Sequence, residues 1–319
     1  MNRVEEMQSS SINLNVDVVK NVLIIPTEIQ TRFENISQDY DLRLNHEILS
    51  LCKEIREIID PHNTISDDIC KKVSNDGYAL VSGFPVDFDK PETPVDKMIE
   101  KPVGKFITEK ILIYLSSLFG SPHAYKTENN GQFIHDLYPI KGNETVASGT
   151  GSEVDLELHT EIAFDTDKPD YLLLTAIRSR DEQNVPTTLV DVSSVLDCLS
   201  ESELSLLQDK NYLIRAPYSF SDGDDVYYRR SLANFSGKKS YSFNFNLGVI
   251  HCSTQESKEL FEKVRQLCNQ YAFEVLLSPG SALVIDNNKM LHGRSLFKPK
   301  FDGKDRWLQR LYVKNKDLI

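Results

Sequence analysis

His159-Thr-Glu161 sets an imidazole and a carboxylate two residues apart. On a β-strand, residues i and i+2 face the same side, so both side chains can reach one metal ion. One distant histidine would complete a 2-His-1-carboxylate set. That set holds Fe(II) and leaves positions open for a co-substrate and dioxygen. The pair alone is a poor signal. With seven histidines and 48 acidic residues, roughly one His-x-Asp/Glu arises by chance. A structural histidine explains it as well.

A second segment changes the balance. Ala282-Leu-Val-Ile-Asp286 reads as a strand and Asn287-Asn288 as a turn, followed by His292-Gly-Arg294. Arg306 and Arg310 follow His292 by 14 and 18 residues. Four apart on a strand, they share a face. A guanidinium clamps a carboxylate bidentately. One arginine suits the distal carboxylate of 2-oxoglutarate, the other the carboxylate of a prime substrate. Either alone could equally be a surface or salt-bridged residue. The whole set at these spacings is far less common by chance.

These residues need a frame. Helical spacing runs over 45–59, with Pro61 as its stop, then over a short 64–74 segment and over 105–119, closed by Gly120. Further helices are expected over 193–209 and 256–271. Strands are expected over 77–83, in two pieces within 157–177, and over 187–192, 240–246, 272–278, 281–286 and 307–314. Helices dominate the first half and closely spaced strands the second. The fold class predicted is α+β, a sandwich or barrel buttressed by helices, in a single domain from residue 19 to 319. Residues 1–18 are polar and read as a flexible lead-in.

Composition limits the partners. The chain has 319 residues, 36 basic against 48 acidic, for a net charge of −12. Bulk binding to nucleic acid or anionic membrane is disfavoured. Five scattered cysteines form no CxxC pair, so neither a disulfide framework nor a zinc ribbon is expected. The N-terminus has no apolar core of a signal peptide, and no run approaches about 18 apolar residues. A reducing cytoplasm fits.

The chain resembles the clavaminate synthase-like branch of Fe(II)/2-oxoglutarate dioxygenases, in particular the hydroxylases of free amino acids such as asparagine, arginine and lysine. The likeness rests on Leu156-Glu-Leu-His-Thr-Glu161, Ala163-Phe164, Pro169-Asp-Tyr-Leu-Leu-Leu174 and Arg178. The C-terminal block is more specific: Ser278-Pro-Gly280, Ile285-Asp-Asn287, His292-Gly-Arg294, Phe301-Asp-Gly303 and Asp305-Arg-Trp-Leu-Gln-Arg310. Fainter echoes are Gly83-Phe-Pro85, Thr93-Pro94 and Pro217-Tyr-Ser-Phe220. Together these span about 77–315.

The resemblance implies a double-stranded β-helix (jelly-roll) core with Fe(II) held by His159, Glu161 and His292. It implies 2-oxoglutarate and dioxygen as co-substrates. Arg306 matches the clamp for the 2-oxoglutarate C5 carboxylate. Thr187 or Thr188 matches a threonine that supports it, and only one of the two can face inward. Arg310 matches the group that binds the substrate α-carboxylate. A carboxylate at Glu161, where related halogenases carry a small residue, implies hydroxylation. Glu128 matches a polar residue facing the substrate amine, or is a solvated loop glutamate.

Ser148, Thr150 and Ser152 precede the His159 strand and could bond the substrate carboxylate. The loop at about 215–231 matches a lid, and its Asp222, Asp224 and Asp225 could meet a cationic side chain or form a solvated turn. Arginine hydroxylases of this family grip the guanidinium with an Asp-x-Asp pair. The matching residues are Asn244 and Asn246, which argues against arginine. With Glu128 and the lid aspartates as counter-charges, a lysine-like or otherwise polar free L-amino acid is the expected substrate. The competing classes are a hydroxylase of a carrier-tethered or peptide residue, a non-catalytic jelly-roll binding protein, and a zinc hydrolase.

Overall fold

The computed structural model describes residues 22–36, 40–96, 106–179, 185–217, 220, 224–237 and 240–315. The lead-in expected over 1–18 lies outside them, as does Asp222. The first half contains β1 (Leu23–Ile24), α1 (Thr27–Asn35), α2 (Asn45–Ile59), α3 (Ser66–Asp76), β2 (Tyr78–Ser82), α4 (Ile107–Phe119), β3 (Ser121–His123), β4 (Ile134–Leu137) and β5 (Leu156–His159). Then come β6 (Tyr171–Arg178), β7 (Thr187–Asp191), α5 (Val192–Leu196), α6 (Glu201–Gln208), β8 (Tyr212–Arg215) and β9 (Tyr227–Arg230). Last are β10 (Ala233–Gly237), β11 (Ser240–Phe243), β12 (Ile250–Cys252), α7 (Gln255–Tyr271), β13 (Phe273–Val275), β14 (Ser281–Asp286), β15 (Met290–Arg294) and β16 (Trp307–Lys314). The α+β class expected from the sequence holds.

Two sheets face each other. The larger runs β1-β2-β14-β6-β16-β3, with β4 also pairing β16, and the smaller runs β13-β7-β15-β5. Leu80, Leu174, Leu283 and Tyr312 from the first interdigitate with Leu189, Val275 and Met290 from the second. All six residues of β14 are buried, because β2 and β6 flank it and both its faces are covered. Val284 and Ala282 point out to the N-terminal helices, which bury Ile48, Leu51, Ile55 and Ile59 of α2 against α4 and that sheet. The α2 positions recur at three and four residues, one stripe of an amphipathic helix. Outside the smaller sheet, Leu260, Phe261 and Val264 of α7 pack with Val190 and Leu291. No helix among the described residues is long and apolar enough to cross a membrane.

Three local expectations change. The helix expected over 193–209 is two, because Ser200 and Glu203 form a capping box that starts α6 afresh. The segment carrying His292, for which no element was expected, is a strand, β15. Part of the expected lid is the strand β9, which pairs with β8.

Candidate active site

β15 lies between β5 and β7, and His292 sits directly opposite His159 in the ladder. Their ring centroids are 4.3 Å apart. Gly293 permits this close approach, since a Cβ there would stand 2.6 Å from the Leu156 carbonyl oxygen. β5 ends at His159, and the chain turns at once, with Ile162 in the left-handed region at φ 55°. Strand alternation therefore does not place Glu161, as the sequence reading assumed.

Asn287 places it instead. Its Oδ1 accepts from the Glu161 backbone N–H at 2.8 Å, while its Nδ2 donates to the carbonyls of Glu161 and Pro169 at 3.2 and 2.8 Å. This side chain is fully buried. Asn287→Ala orphans three backbone groups, and one unmet buried group costs about 1–3 kcal/mol. A loss of about 2 kcal/mol corresponds to a Tm lower by roughly 3 °C in a domain of this size. Calorimetry together with a weakened Fe(II) titration is the expected result. An unchanged Tm and iron affinity would show that the turn holds itself.

The ligand atoms of His159, Glu161 and His292 all lie within 4.8 Å of one another. His159 Nδ1 donates to the Glu157 carbonyl at 2.7 Å, which fixes the tautomer and leaves Nε2 for a metal. Glu161 Oε1 is 3.2 Å from His292 Nε2 and 3.5 Å from Arg310 Nη1. Its Oε2 accepts from the Tyr312 hydroxyl at 2.8 Å. Burial pushes His159 down to about 4, with the neighbouring His292 adding to the effect, so the imidazole is neutral at pH 7 and can ligate. Burial alone would raise Glu161. The Arg310 charge and the His292 hydrogen bond outweigh it and hold the carboxyl well below the usual range. Two imidazoles and one ionised carboxylate are a donor set that fits Fe(II).

A cavity of 260 Å³ opens over the three ligands, the scale of a small-molecule site. Arg306 and Arg310 both line it, as do Glu128, Ser148, Thr187 and Asn246. Thr187 is buried and shares its face with Leu189 of the inter-sheet core, so Thr188, one residue on, faces away and is absent from the lining. Arg310 Nη2 donates to Glu128 Oε1 at 2.5 Å and to His135 Nδ1 at 2.9 Å, and the guanidinium lies 4.5 Å from the Tyr312 ring centroid.

Several sequence candidates stand elsewhere. Thr150 backs the lining by bonding Ser148 at 3.1 Å. Ser152 is wholly buried and its carbonyl accepts from the Phe297 N–H. Asn244 Nδ2 donates to the Ser231 carbonyl at 3.2 Å. Asp224 and Asp225 are exposed, and Asp225 pairs with Arg215 at 3.3 Å. None of these lines the cavity.

Sequence reasoning missed Tyr312, Asn287 and Arg215. The signal for Tyr312 was present, since it lies two residues beyond Arg310 on one strand and so shares its face. Arg215 had no signal, because only the packing of β8 brings it to the cavity wall.

Residues 77–312 match the model for the "Taurine catabolism dioxygenase TauD, TfdA family". Clavaminate synthase 2 of Streptomyces clavuligerus is 30% identical over 244 residues, covering 76% of this chain and 75% of that protein. The crystal structure of asparagine oxygenase with Fe(II), (2S,3S)-3-hydroxyasparagine and succinate superposes with a TM-score of 0.82 at 21% identity, covering 92% of this chain and 94% of that one. The non-haem iron oxygenase OrfP with Fe and α-ketoglutaric acid gives 0.77 at 25% identity, covering 92% and 94%. With the His159–Glu161–His292 cluster at its centre, the chain belongs to the TauD/TfdA family of Fe(II)- and 2-oxoglutarate-dependent oxygenases, in the clavaminate synthase-like group.

Proposed function

We propose that this enzyme hydroxylates an unactivated aliphatic carbon of a free L-amino acid with a polar side chain. The observation that carries the reading is the placement of two half-buried arginines, Arg306 and Arg310, in one cavity with the three clustered ligands. An enzyme that joins two small acids over one metal needs two such anion sites. Bound Fe(II), with 2-oxoglutarate and dioxygen, supplies the oxidising power for a C–H bond. The chain's own task is to position the substrates and exclude water.

In this reading the two facing sheets are the jelly-roll core. Arg306 and Thr187 hold the distal carboxylate of 2-oxoglutarate. Arg310 takes the amino-acid carboxylate, Glu128 takes its amine, and Ser148 adds a hydroxyl. His135 holds Arg310 from behind, with its Nε2–H donated to the Gln132 carbonyl at 2.8 Å. Of the lid expected over about 215–231, the described Phe220 packs on Phe164 and Tyr125. Five free cysteines suit a reducing, cytoplasmic setting.

The test is succinate release from 2-oxoglutarate with Fe(II) and ascorbate in air, across the twenty L-amino acids plus ornithine, citrulline and homoarginine. Stimulation by one of them, with a product heavier by one oxygen atom, is the expected outcome. Background turnover with every free amino acid would overturn the free-substrate reading in favour of a tethered or peptide residue.

A further inference from the structure

The cavity lining holds two carboxylates among the described residues, Glu128 and Glu161. Glu161 belongs to the metal set, and Glu128 is hydrogen-bonded to Arg310. Four arginines line the same cavity. Arg294 donates to the carbonyls of Gly151 and Val154 at 2.8 and 3.1 Å and is a wall brace. Arg306 and Arg310 have roles at the two carboxylate sites. Arg215 is the fourth. It lies at the end of β8, in a wall shared with Ile214, Pro217, Phe220 and Asn246.

Asn246 is oriented by its neighbours. Its Oδ1 accepts from the Gly248 N–H at 3.2 Å. That bond assigns the amide, so the other end is an NH2 donor. Asn246 also bridges His159 in the backbone ladder, beside the metal set. This wall therefore offers hydrogen-bond donors: the Arg215 guanidinium and the Asn246 amide. An ammonium or guanidinium has donors only. Against this wall it would meet donors and a like charge; of the two lining carboxylates, Glu161 serves the metal set and Glu128 holds Arg310 through Oε1, which leaves its Oε2 for the substrate amine. The lid acid Asp225 is paired with Arg215 itself. Of the counter-charges that favoured a lysine-like substrate in the sequence, Glu128 is engaged by Arg310 and Asp225 by Arg215, Asp224 is exposed and outside the lining, and Asp222 lies outside the described residues.

Given the amino-acid hydroxylase reading above, we infer that the substrate side chain ends in an acceptor oxygen, as a carboxamide, ureido or carboxylate group, and carries no positive charge. Arg215 and Asn246 are its specificity-determining residues. The shared chemistry is a C=O or carboxylate oxygen within reach of both donors.

The iron-loaded full chain is assayed for 2-oxoglutarate-coupled turnover with two sets of amino acids. One holds asparagine, glutamine, citrulline, aspartate and glutamate, and the other lysine, ornithine, arginine and homoarginine. Anaerobic calorimetric binding of the same compounds gives a readout free of turnover. The acceptor set should bind and turn over, and comparison of amides with acids within it separates neutral from anionic side chains. Arg215→Met should raise KM for the preferred compound by about tenfold to a hundredfold, with a smaller change in kcat, and Arg215→Lys should restore part of the loss. Asn246→Asp should shift relative kcat/KM towards ornithine and arginine. Preference of the wild type for the cationic set would overturn the inference while leaving the hydroxylase reading intact, as would an unchanged KM in Arg215→Met. Stimulation by neither set, with background succinate still formed, would remove the free-amino-acid reading and this inference with it.

Discussion

Arg306→Met raises the 2-oxoglutarate requirement on the order of 10²-fold and leaves the folded protein at least as stable as wild type. The two halves of this expectation share one cause. Among the described residues no hydrogen bond or ion pair engages the Arg306 guanidinium. Burial, with Arg294 as a like charge nearby, pushes it down to about 9, so it is still charged at pH 7. A group whose charged form is disfavoured by folding opposes folding. Removing it relieves that cost, whereas removing a structural ion-pair partner would lower stability.

In the proposed reading, the same unpaired cation becomes the clamp when a dicarboxylate enters. Deleting one partner of a buried hydrogen-bonded charge pair costs about 2–5 kcal/mol. At 1.4 kcal/mol per factor of ten, the middle of that range gives the stated loss. The measurements are KM for 2-oxoglutarate at saturating iron and the Tm of the metal-free protein. A lower Tm with a normal KM would show that Arg306 is structural and that the clamp lies elsewhere. Arg306→Lys should recover only part of the affinity, because a point charge cannot make the two-pronged contact.

The distribution of what could be read from the sequence follows from the range of the forces involved. Helices α2 and α7 were legible to within a residue or two because their apolar stripes are local and periodic. The ends of β14 and β16 were legible for similar reasons. The metal residues were legible as a set, since two of them are close in sequence and the third sits in a distinctive block. What was not legible is what spans long separations. The sequence contains no local record that β15 inserts between β5 and β7, which is what brings His292 onto His159. Nor does it show that Asn287, 126 residues from Glu161, sets the turn that aims the carboxylate. The turn reading of Asn287 was locally sensible, because asparagine favours turns, but here its side chain serves a distant backbone.

The same separation explains the substrate residues. Ser148, Thr150 and Ser152 form a period of two in the sequence, yet the segment is a looped turn rather than a strand. Only Ser148 reaches the cavity. Asn244 and Asn246 likewise follow the end of β11 and divide, one buried against Ser231 and one at the wall. Type and spacing nominate residues, and the surrounding sheets decide which of them meet.

His292→Ala abolishes turnover, by more than about 10³-fold since a metal centre contributes several kcal/mol, and removes stoichiometric Fe(II) binding with little change in fold. His292 Nδ1 has no hydrogen-bond partner among the described residues, so the substitution orphans little beyond the metal site. Glu161→Ala is expected to behave differently, although it removes a ligand of the same set. Glu161 receives the Tyr312 hydroxyl and lies against Arg310, and its carboxyl is held low because that cation prefers the ionised form. Truncation leaves a buried hydroxyl and a half-buried cation short of a partner, a loss of about 3 kcal/mol. Glu161→Ala should therefore lose both iron and stability, whereas His292→Ala should lose iron alone. Iron stoichiometry and thermal melts on the two variants, measured side by side, check this. Retained iron in His292→Ala would remove it from the ligand set. Equal melting temperatures would mean that Arg310 is balanced by Glu128 without Glu161, and that the carboxylate at position 161 serves the metal and nothing else.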